Sequence, residues 1–496
     1  MTPDKRPPNL VIFVLDCVSA EALRARGAET APAPAYDSFA AEGLSFRTAV
    51  TTAPWTIPAH ASLFTGLYPW RHKTFNHGSP GLDSNIPTLA GLLRAAGYRS
   101  TCLSANPFVS PRTGLTSGFD DAVWSEWTHL YFRGIRNFHR YSPPSVGSGS
   151  PIGAEEPRRW RRFPRSIRRF AERYPPSWEI ACRAAGKLLG PGDRSATGVA
   201  SWIEPAFEEA LRAGGRSAHP TFTFVNLLDA HEPYIGMDVH RSLYGEYLSM
   251  LGVRQDWVNW LRGRWAPNSR ELRKLRTLYG FAITTVDRRL QRLLSIVRKM
   301  DLWEQTMIVI TSDHGQCFTE GRQLFHSVGL DESVVKIPLA VKLPYGRLGK
   351  VRASGAASLV DILPSALLEC GASPPSSVDG VTFDQLIDHD RVEPALVLGD
   401  GLSQIDSAHV TSRRREELDS LRVDAYSAYG RVGGRILAGD GEASYRRGSG
   451  PLTDEARIEK ADENGGKLES TLDLISIQVK TAVNSVHQRI AGWGYD

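Results

Sequence analysis

Three stretches of this chain are almost uninterrupted in their apolar residues: Asn9 to Leu15 (NLVIFVL), Thr221 to Leu228 (TFTFVNLL) and Thr306 to Thr311 (TMIVIT). Runs of that length and composition predict strands buried on both faces, as in a largely parallel sheet. Leu44 to Val50, Tyr98 to Ser104 and Lys336 to Leu343 read as further strands. Between them the apolar spacing turns helical, over Ser19 to Arg26, Ala35 to Glu42, Ile86 to Ala96, Gly198 to Ala213, Arg270 to Met300 and 355–370. The alternation predicts an α/β domain. Each long apolar run ends on residues that carry chemistry: Asp16 after the first, Asp229-Ala230-His231 after the second, Ser312-Asp313-His314-Gly315 after the third. Carboxyl ends of strands are where open α/β sheets place their sites.

A separate stretch, Ala53-Pro54-Trp55-Thr56-Ile57-Pro58-Ala59-His60 and on to Gly66, reads as a short helix. Thr56 is expected as its N-cap, Pro58 sits in the first turn and Gly66 ends it. The positive end of such a helix welcomes an anionic group beside Thr56. Asp16, Asp313 and His314 offer hard oxygen and borderline nitrogen, a donor set for a divalent cation. A threonine hydroxyl is a poor nucleophile alone. A cation beside it favours the alkoxide and neutralises the oxygen of a phosphoryl or sulfuryl group under attack.

In combination these residues resemble the sulfatase branch of the alkaline phosphatase superfamily. Sulfatases carry a Cys-x-Pro-x-Arg motif upstream of a Thr-Gly, and counting back nine positions from Thr65 puts Thr56 in the cysteine's place. Pro58 matches, and His60 stands where arginine is expected. Asp16, the Asp313-His314-Gly315 triplet, Asp361-Ile362-Leu363-Pro364-Ser365 and Asp379-Gly380 are similar to the family as well. The resemblance runs from about 9 to about 385. It implies a large mixed, mostly parallel sheet flanked by helices, and a metal site of Asp16, Thr56, Asp313 and His314.

The departures bear on the reaction. Threonine cannot become the formylglycine aldehyde that sulfatases use. Ser104-Ala105-Asn106-Pro107 replaces the expected Gly-Lys-Trp-His, and Cys17 occupies the place of a second metal-binding aspartate. Threonine nucleophiles occur in phosphodiesterase and phosphotransferase relatives, and the single-metal set is similar to that of phosphonate monoester hydrolases. Asp229-Ala230-His231-Glu232-Pro233-Tyr234 resembles the family's D-P-H-x-P-Y, in which the histidine faces the substrate. His231 is therefore the expected general acid, since a histidine near neutral pKa can protonate a leaving oxygen. His60, Asn106, Asp229 and His326 are expected to bind substrate, with a second metal as the alternative at His326, which lies in Phe325-His326-Ser327.

Composition narrows the setting. The 496 residues exceed what one core needs, the hydrophobic content is an ordinary 41%, and a formal charge of +5 is too small at this length to argue for specific nucleic-acid binding. The first apolar run is too short for a signal-peptide core or a membrane span. Five cysteines at 17, 102, 182, 317 and 370 form no CxxC and no disulfide framework, so a reducing cytoplasm is expected.

Between about 127 and 197 the composition changes. Pro143 to Gly153 is rich in Pro, Ser and Gly. Arg158, Arg159, Arg161, Arg162, Arg165, Arg168, Arg169 and Arg173 are then interleaved with Trp160, Phe163, Phe170 and Tyr174. This is a solvated insertion or a contact for anionic surfaces. Ala395 to Gly399, a hairpin over 421–438 and a helix from Leu468 to Ile490 suggest a small α+β subdomain. The expected division is a catalytic domain over 1–385 and a C-terminal subdomain over 386–496.

The resulting expectation is a metal-dependent hydrolase (EC 3.1 class) that cleaves a phosphoester, phosphodiester or phosphonate by attack of Thr56 through a covalent intermediate. The substrate is a small, polymeric or lipid-linked anionic ester, and the ion is Ca, Mg, Mn or Zn. The alternatives are a sulfatase that works without formylglycine and a noncatalytic binding protein on the same scaffold.

Overall fold

The computed structural model describes residues 7–24, 33–74, 81–125, 138–141, 202–216, 219–234, 243–250, 252–255, 260, 265–319, 324–326, 330–387, 395–399, 425–430, 433–437 and 443–446. The Arg-rich stretch and the helix expected over Leu468 to Ile490 lie outside them.

The strands of the main sheet, in chain order, are β1 (Asn9–Leu15), β2 (Leu44–Val50), β3 (Arg99–Ser104), β4 (Asp121–Ser125), β5 (Phe138–Tyr141), β6 (Thr221–Leu227) and β7 (Thr306–Thr311). A two-stranded ribbon of β8 (Cys317–Phe318) and β9 (Leu324–Phe325) comes next, then β10 (Leu339–Lys342) and β11 (Val351–Ser358) return to the sheet. Its order is β11-β2-β10-β7-β1-β6-β3-β4-β5. Only β10 and β5 run against the rest. It is the mixed, mostly parallel α/β sheet that the apolar runs predict, and β1, β2 and β7 have the expected bounds.

The alternation of side chains along β1 divides the core. Val11, Phe13 and Leu15 pack with Leu275, Leu278, Ile283 and Leu290 of the Ser269–Lys299 helix. Leu10, Ile12 and Val14 pack on the other face with Ile57, Ala61 and Phe64 of the Thr56–Thr65 helix. Each fully buried side chain of that size contributes about 1.5–3 kcal/mol. Asn268 and Glu271 cap the long helix reciprocally. Both faces of the central strands are covered, so their polar residues gather at the carboxyl edge.

Two expected elements differ. Residues 351–358 form strand β11, and the helix that follows is only Ile362–Glu369. Small residues of RASGAAS suit a strand lying parallel to β2, and that long-range pairing overrides their helical tendency. The helix expected over Gly198 to Ala213 is Ile203–Arg216. Among the described C-terminal residues, β12 (Ala395–Gly399), β13 (Ala425–Gly430), β14 (Gly433–Leu437) and β15 (Ala443–Arg446) make a four-stranded antiparallel sheet. Among the described residues no helix is long and apolar enough to cross a membrane.

Candidate active site

Four adjacent parallel strands, β7, β1, β6 and β3, end side by side, at the roughly 4.8 Å spacing of a sheet. Their ends carry Asp313, Asp16, Asn226 and Asn106 into one pocket. The Thr56–Thr65 helix meets them from one face of the sheet. Thr56 begins this helix rather than capping it: Trp55 is the N-cap and makes no side-chain cap bond. The Thr56 hydroxyl is instead claimed by Asn106, whose Nδ2 donates to Thr56 Oγ1 at 3.3 Å and to Asp16 Oδ2 at 2.8 Å. One buried amide thus holds the hydroxyl and the carboxylate together. Gly66 ends the helix in the left-handed conformation, as expected.

Asp313 enters through a tight turn. Its Oδ1 accepts from the backbone N–H groups of Cys17 at 3.2 Å and His314 at 2.9 Å. Gly315 is needed because a Cβ there would lie 1.9 Å from the carbonyl oxygen of Ser333. The other carboxylate oxygen, Oδ2, is buried with no hydrogen bond, and so is His314 Nε2, 3.4 Å away. His314 Nδ1 donates to the Gly315 carbonyl at 3.0 Å, which leaves Nε2 as a lone pair. Burial holds the His314 pKa down to about 4, so the ring is neutral. Two buried acceptor atoms therefore face each other. That arrangement is unfavourable alone and fits a cation between them.

The carboxylates agree. Burial, and then the charge of Asp16, push the Asp313 carboxyl well above the usual carboxylate range. Burial also opposes ionisation of Asp16, but His231, His314, the Asn106 bond and His60 outweigh it and lower its pKa. Two buried carboxylates whose charges repel each other need positive charge. The donors Asp16, Thr56, Asp313 and His314 form an oxygen-rich set with one imidazole, which fits a divalent ion.

Two expected substrate ligands have other work. His60 is fully buried, donates from Nδ1 to the Thr56 carbonyl at 2.9 Å, and faces Asn226 Nδ2 with Nε2 at 3.3 Å. Both ring nitrogens are engaged, so His60 supports the site from beneath. Asp229 is 3% exposed, and its two oxygens accept from Arg289 Nε at 2.8 Å and Nη2 at 3.1 Å. It anchors the turn that carries His231. His231 and His326 do reach the pocket, with ring centroids 5.0 Å apart. His326 also stacks on His314 at 4.5 Å.

Asn226 was not singled out from the sequence. It donates to Asp16 Oδ2 at 3.1 Å, and the only signal for it was a lone amide inside the apolar run TFTFVNLL. Gln316 was also missed. Its Nε2 donates to Glu232 Oε2 at 2.6 Å and to the Tyr234 hydroxyl at 2.8 Å. Asp361 lies away from the pocket and ties the backbone N–H groups of Ser358 and Val381 together.

A family model described as sulfatase matches residues 8–369. The multifunctional alkaline phosphatase superfamily protein PehA of Trinickia caryophylli is 26% identical over 75% of this chain and 75% of its own length. Mouse steryl-sulfatase is 25% identical over 76% of this chain, which spans 64% of that protein. Human arylsulfatase K is 22% identical over 76% of this chain and 66% of its own length. Among solved structures, phosphonate monoester hydrolase of Agrobacterium radiobacter superposes with a TM-score of 0.58 at 17% identity, covering 89% of both chains. The phosphonate monoester hydrolase SpPMH from Silicibacter pomeroyi gives 0.60 at 15% identity over 96% of this chain and 95% of its own. These structural likenesses bear on the fold.

Proposed function

The chain belongs to the sulfatase family and is an ester-hydrolysing enzyme, and from that premise we propose that it cleaves phosphoesters, phosphodiesters or phosphonates with Thr56 as nucleophile. The observation that carries this reading is the Asn106 amide, which holds Thr56 Oγ1 and Asp16 Oδ2 within hydrogen-bonding distance of one nitrogen. A hydroxyl positioned that closely to a cation-binding carboxylate is a nucleophile placed for activation.

A divalent ion held by Asp16, Thr56, Asp313 and His314 would favour loss of the Thr56 hydroxyl proton and offset anionic charge on the ester. Thr56 Oγ1 then bonds to phosphorus as the bond to the departing oxygen breaks. His231 gives that oxygen its proton. Burial disfavours a charged His231, but Glu232, Asp16 and the Glu232 carbonyl together raise its pKa, so the ring holds a proton near neutrality. Water hydrolyses the phosphothreonine ester and restores the hydroxyl. Asn106 keeps Oγ1 oriented throughout, and Asn226 together with His60 keeps Asp16 and the helix start in place.

A second reading, sulfate-ester hydrolysis by the same Thr56, is favoured by the several relatives that are named sulfatases. One panel separates them: aryl phosphate, phosphodiester, phosphonate and sulfate esters, each assayed with Ca, Mg, Mn and Zn. The expected result is phosphorus-ester turnover that falls by at least about a thousandfold in Thr56→Ala, the scale of losing a nucleophile. If Thr56→Ala matches the parent on every ester, Thr56 is not the nucleophile. Turnover of sulfate alone would select the second reading.

A further inference from the structure

Cys17, the residue after Asp16, has a φ of +64° and so lies in the left-handed region. Apart from glycine, that region favours asparagine, aspartate and histidine, and a buried cysteine stays there only when its surroundings hold it. Two hydroxyls do so. Tyr279, on the Ser269–Lys299 helix, donates to the Cys17 carbonyl at 2.7 Å and accepts from the Ser19 backbone N–H at 3.0 Å. Ser312, just past the end of β7, accepts from the Val18 backbone N–H at 3.1 Å and faces the carbonyls of Leu15 and His314, each at 2.6 Å. Held in this way, the Cys17 backbone N–H points at Asp313 Oδ1, 3.2 Å away. The peptide that follows one carboxylate of the cation site therefore donates to the other. Tyr279 is 6% exposed, and its ring packs on Phe318 and Tyr234 with centroids 5.3 and 5.9 Å away. Its ring belongs to the core, while its hydroxyl meets only backbone atoms of the turn after β1.

We propose that Tyr279 is a positioning residue for the cation site: its hydroxyl locks the left-handed turn at Cys17, and through the Cys17 N–H it sets how Asp16 and Asp313 stand relative to one another. The sheet does not do this by itself. The pairing of β1 with β7 ends at Val14 and Thr311, and Asp16 and Asp313 each lie two residues beyond that pair. Past the ladder, two buried carboxylates repel each other, and a backbone N–H turned toward one of them opposes their separation. Without the hydroxyl the ring still fills its place in the core, but the Cys17 peptide is free to relax toward negative φ and turn its N–H away from Asp313. The carboxylates then have to be gathered as the ion arrives, and groups that pre-orient ligands from outside the donor set govern affinity in this way. The contacts join residues 260 and 262 positions apart, so in the sequence Tyr279 is only one more apolar position of a helix. The inference rests on the cation site at Asp16 and Asp313, and not on Thr56 being the nucleophile.

Equilibrium dialysis of the full-length protein against manganese tests this without any turnover. Tyr279→Phe is expected to bind manganese about 10–100-fold more weakly than the parent, the scale on which loss of an outer partner acts. A tyrosine that only filled the core would lower the melting temperature with and without ion alike and leave the dissociation constant where it was. Two double variants then isolate the backbone. Tyr279→Phe/Cys17→Gly and Tyr279→Phe/Cys17→Ala both lack the hydroxyl and the thiol, but only glycine takes positive φ without strain, so the first should bind manganese more tightly than the second and recover part of the loss. Circular dichroism establishes that each variant is folded. Should Tyr279→Phe not fold, Cys17→Gly and Cys17→Val with Tyr279 intact carry the test, because a β-branched residue resists the left-handed region and should weaken binding relative to glycine. The parent's dissociation constant in Tyr279→Phe, equal binding by the two double variants, or equal binding by Cys17→Gly and Cys17→Val overturns the proposal. A parent that binds none of Ca, Mg, Mn or Zn overturns the cation site and this inference together, whereas a parent that binds while Tyr279→Phe matches it overturns this inference alone.

Discussion

Two buried polar clusters lie at the same edge of the sheet, and they are built on opposite plans. Around Asp229, every charge is answered: Arg289 makes a two-pronged bond to Asp229 and reaches Glu204 at 2.8 Å, and Glu204 also pairs with Arg292 at 3.1 Å. Around Asp313, the balance is left open. Asp313 Oδ2 and His314 Nε2 are buried without hydrogen bonds and face one another at 3.4 Å. Burial alone does not distinguish the two. A structural cluster closes on itself, whereas a site keeps donor atoms in reserve for something that is not part of the chain. The histidines repeat the contrast. His72 is buried with Nε2 on the Ser62 hydroxyl at 3.0 Å and Nδ1 accepting from Thr74 N–H at 3.1 Å, while His314 keeps one nitrogen unpartnered.

That contrast can be attacked from its closed side first. Arg289→Met leaves Asp229 buried without its cation, while Glu204 keeps Arg292, and breaking a buried pair in this way costs about 3–5 kcal/mol. The expected outcome is a large fall in denaturation midpoint, measured with and without divalent ions and the same in both. If the variant is as stable as the parent, the network is not the closed structural unit described here.

The open side predicts the reverse dependence. The parent should gain about 2.7 kcal/mol of stability at an ion concentration a hundred times the dissociation constant. Asp313→Asn should lose that gain, because it removes one donor and the charge that calls for the ion. Thermal melts across a magnesium, manganese and calcium series read this out. An undiminished ion-dependent shift in Asp313→Asn would remove Asp313 from the cation site.

The effect that is smallest at neutral pH, and grows only on acidification, concerns His72. Burial lowers its pKa to about 3, so the folded protein holds it neutral while the unfolded chain titrates near 6.5. Below that value the unfolded state binds the extra proton, and stability falls as pH drops from about 6.5 toward 3, by up to about 1.4 kcal/mol per pH unit. His72→Gln should flatten that part of the stability profile, and added metal should leave the slope unchanged. A profile identical to the parent's would mean that His72 is not held neutral by its burial.

Much of this molecule is legible in one dimension, and the reason is periodicity. NLVIFVL, TFTFVNLL and TMIVIT are too continuously apolar to be anything but covered strands, so Asp16, Asp313 and the Asp229–His231 segment had to emerge at strand ends. Thr56, at the head of a helix closed by Gly66, was equally visible. Which atoms meet which is a different matter, because it depends on strand order and on contacts between residues hundreds of positions apart. The sequence suggested Thr56 as a cap and His60 and Asp229 as substrate ligands. Tertiary neighbours decided otherwise: Asn106 takes the Thr56 hydroxyl, Asn226 and the Thr56 carbonyl take the two nitrogens of His60, and Arg289 takes both oxygens of Asp229. Local pattern determines which residues are buried and where each strand stops. Only the assembled sheet determines which buried polar atoms are satisfied, and at this edge that separates the residues that hold the protein together from those left to act.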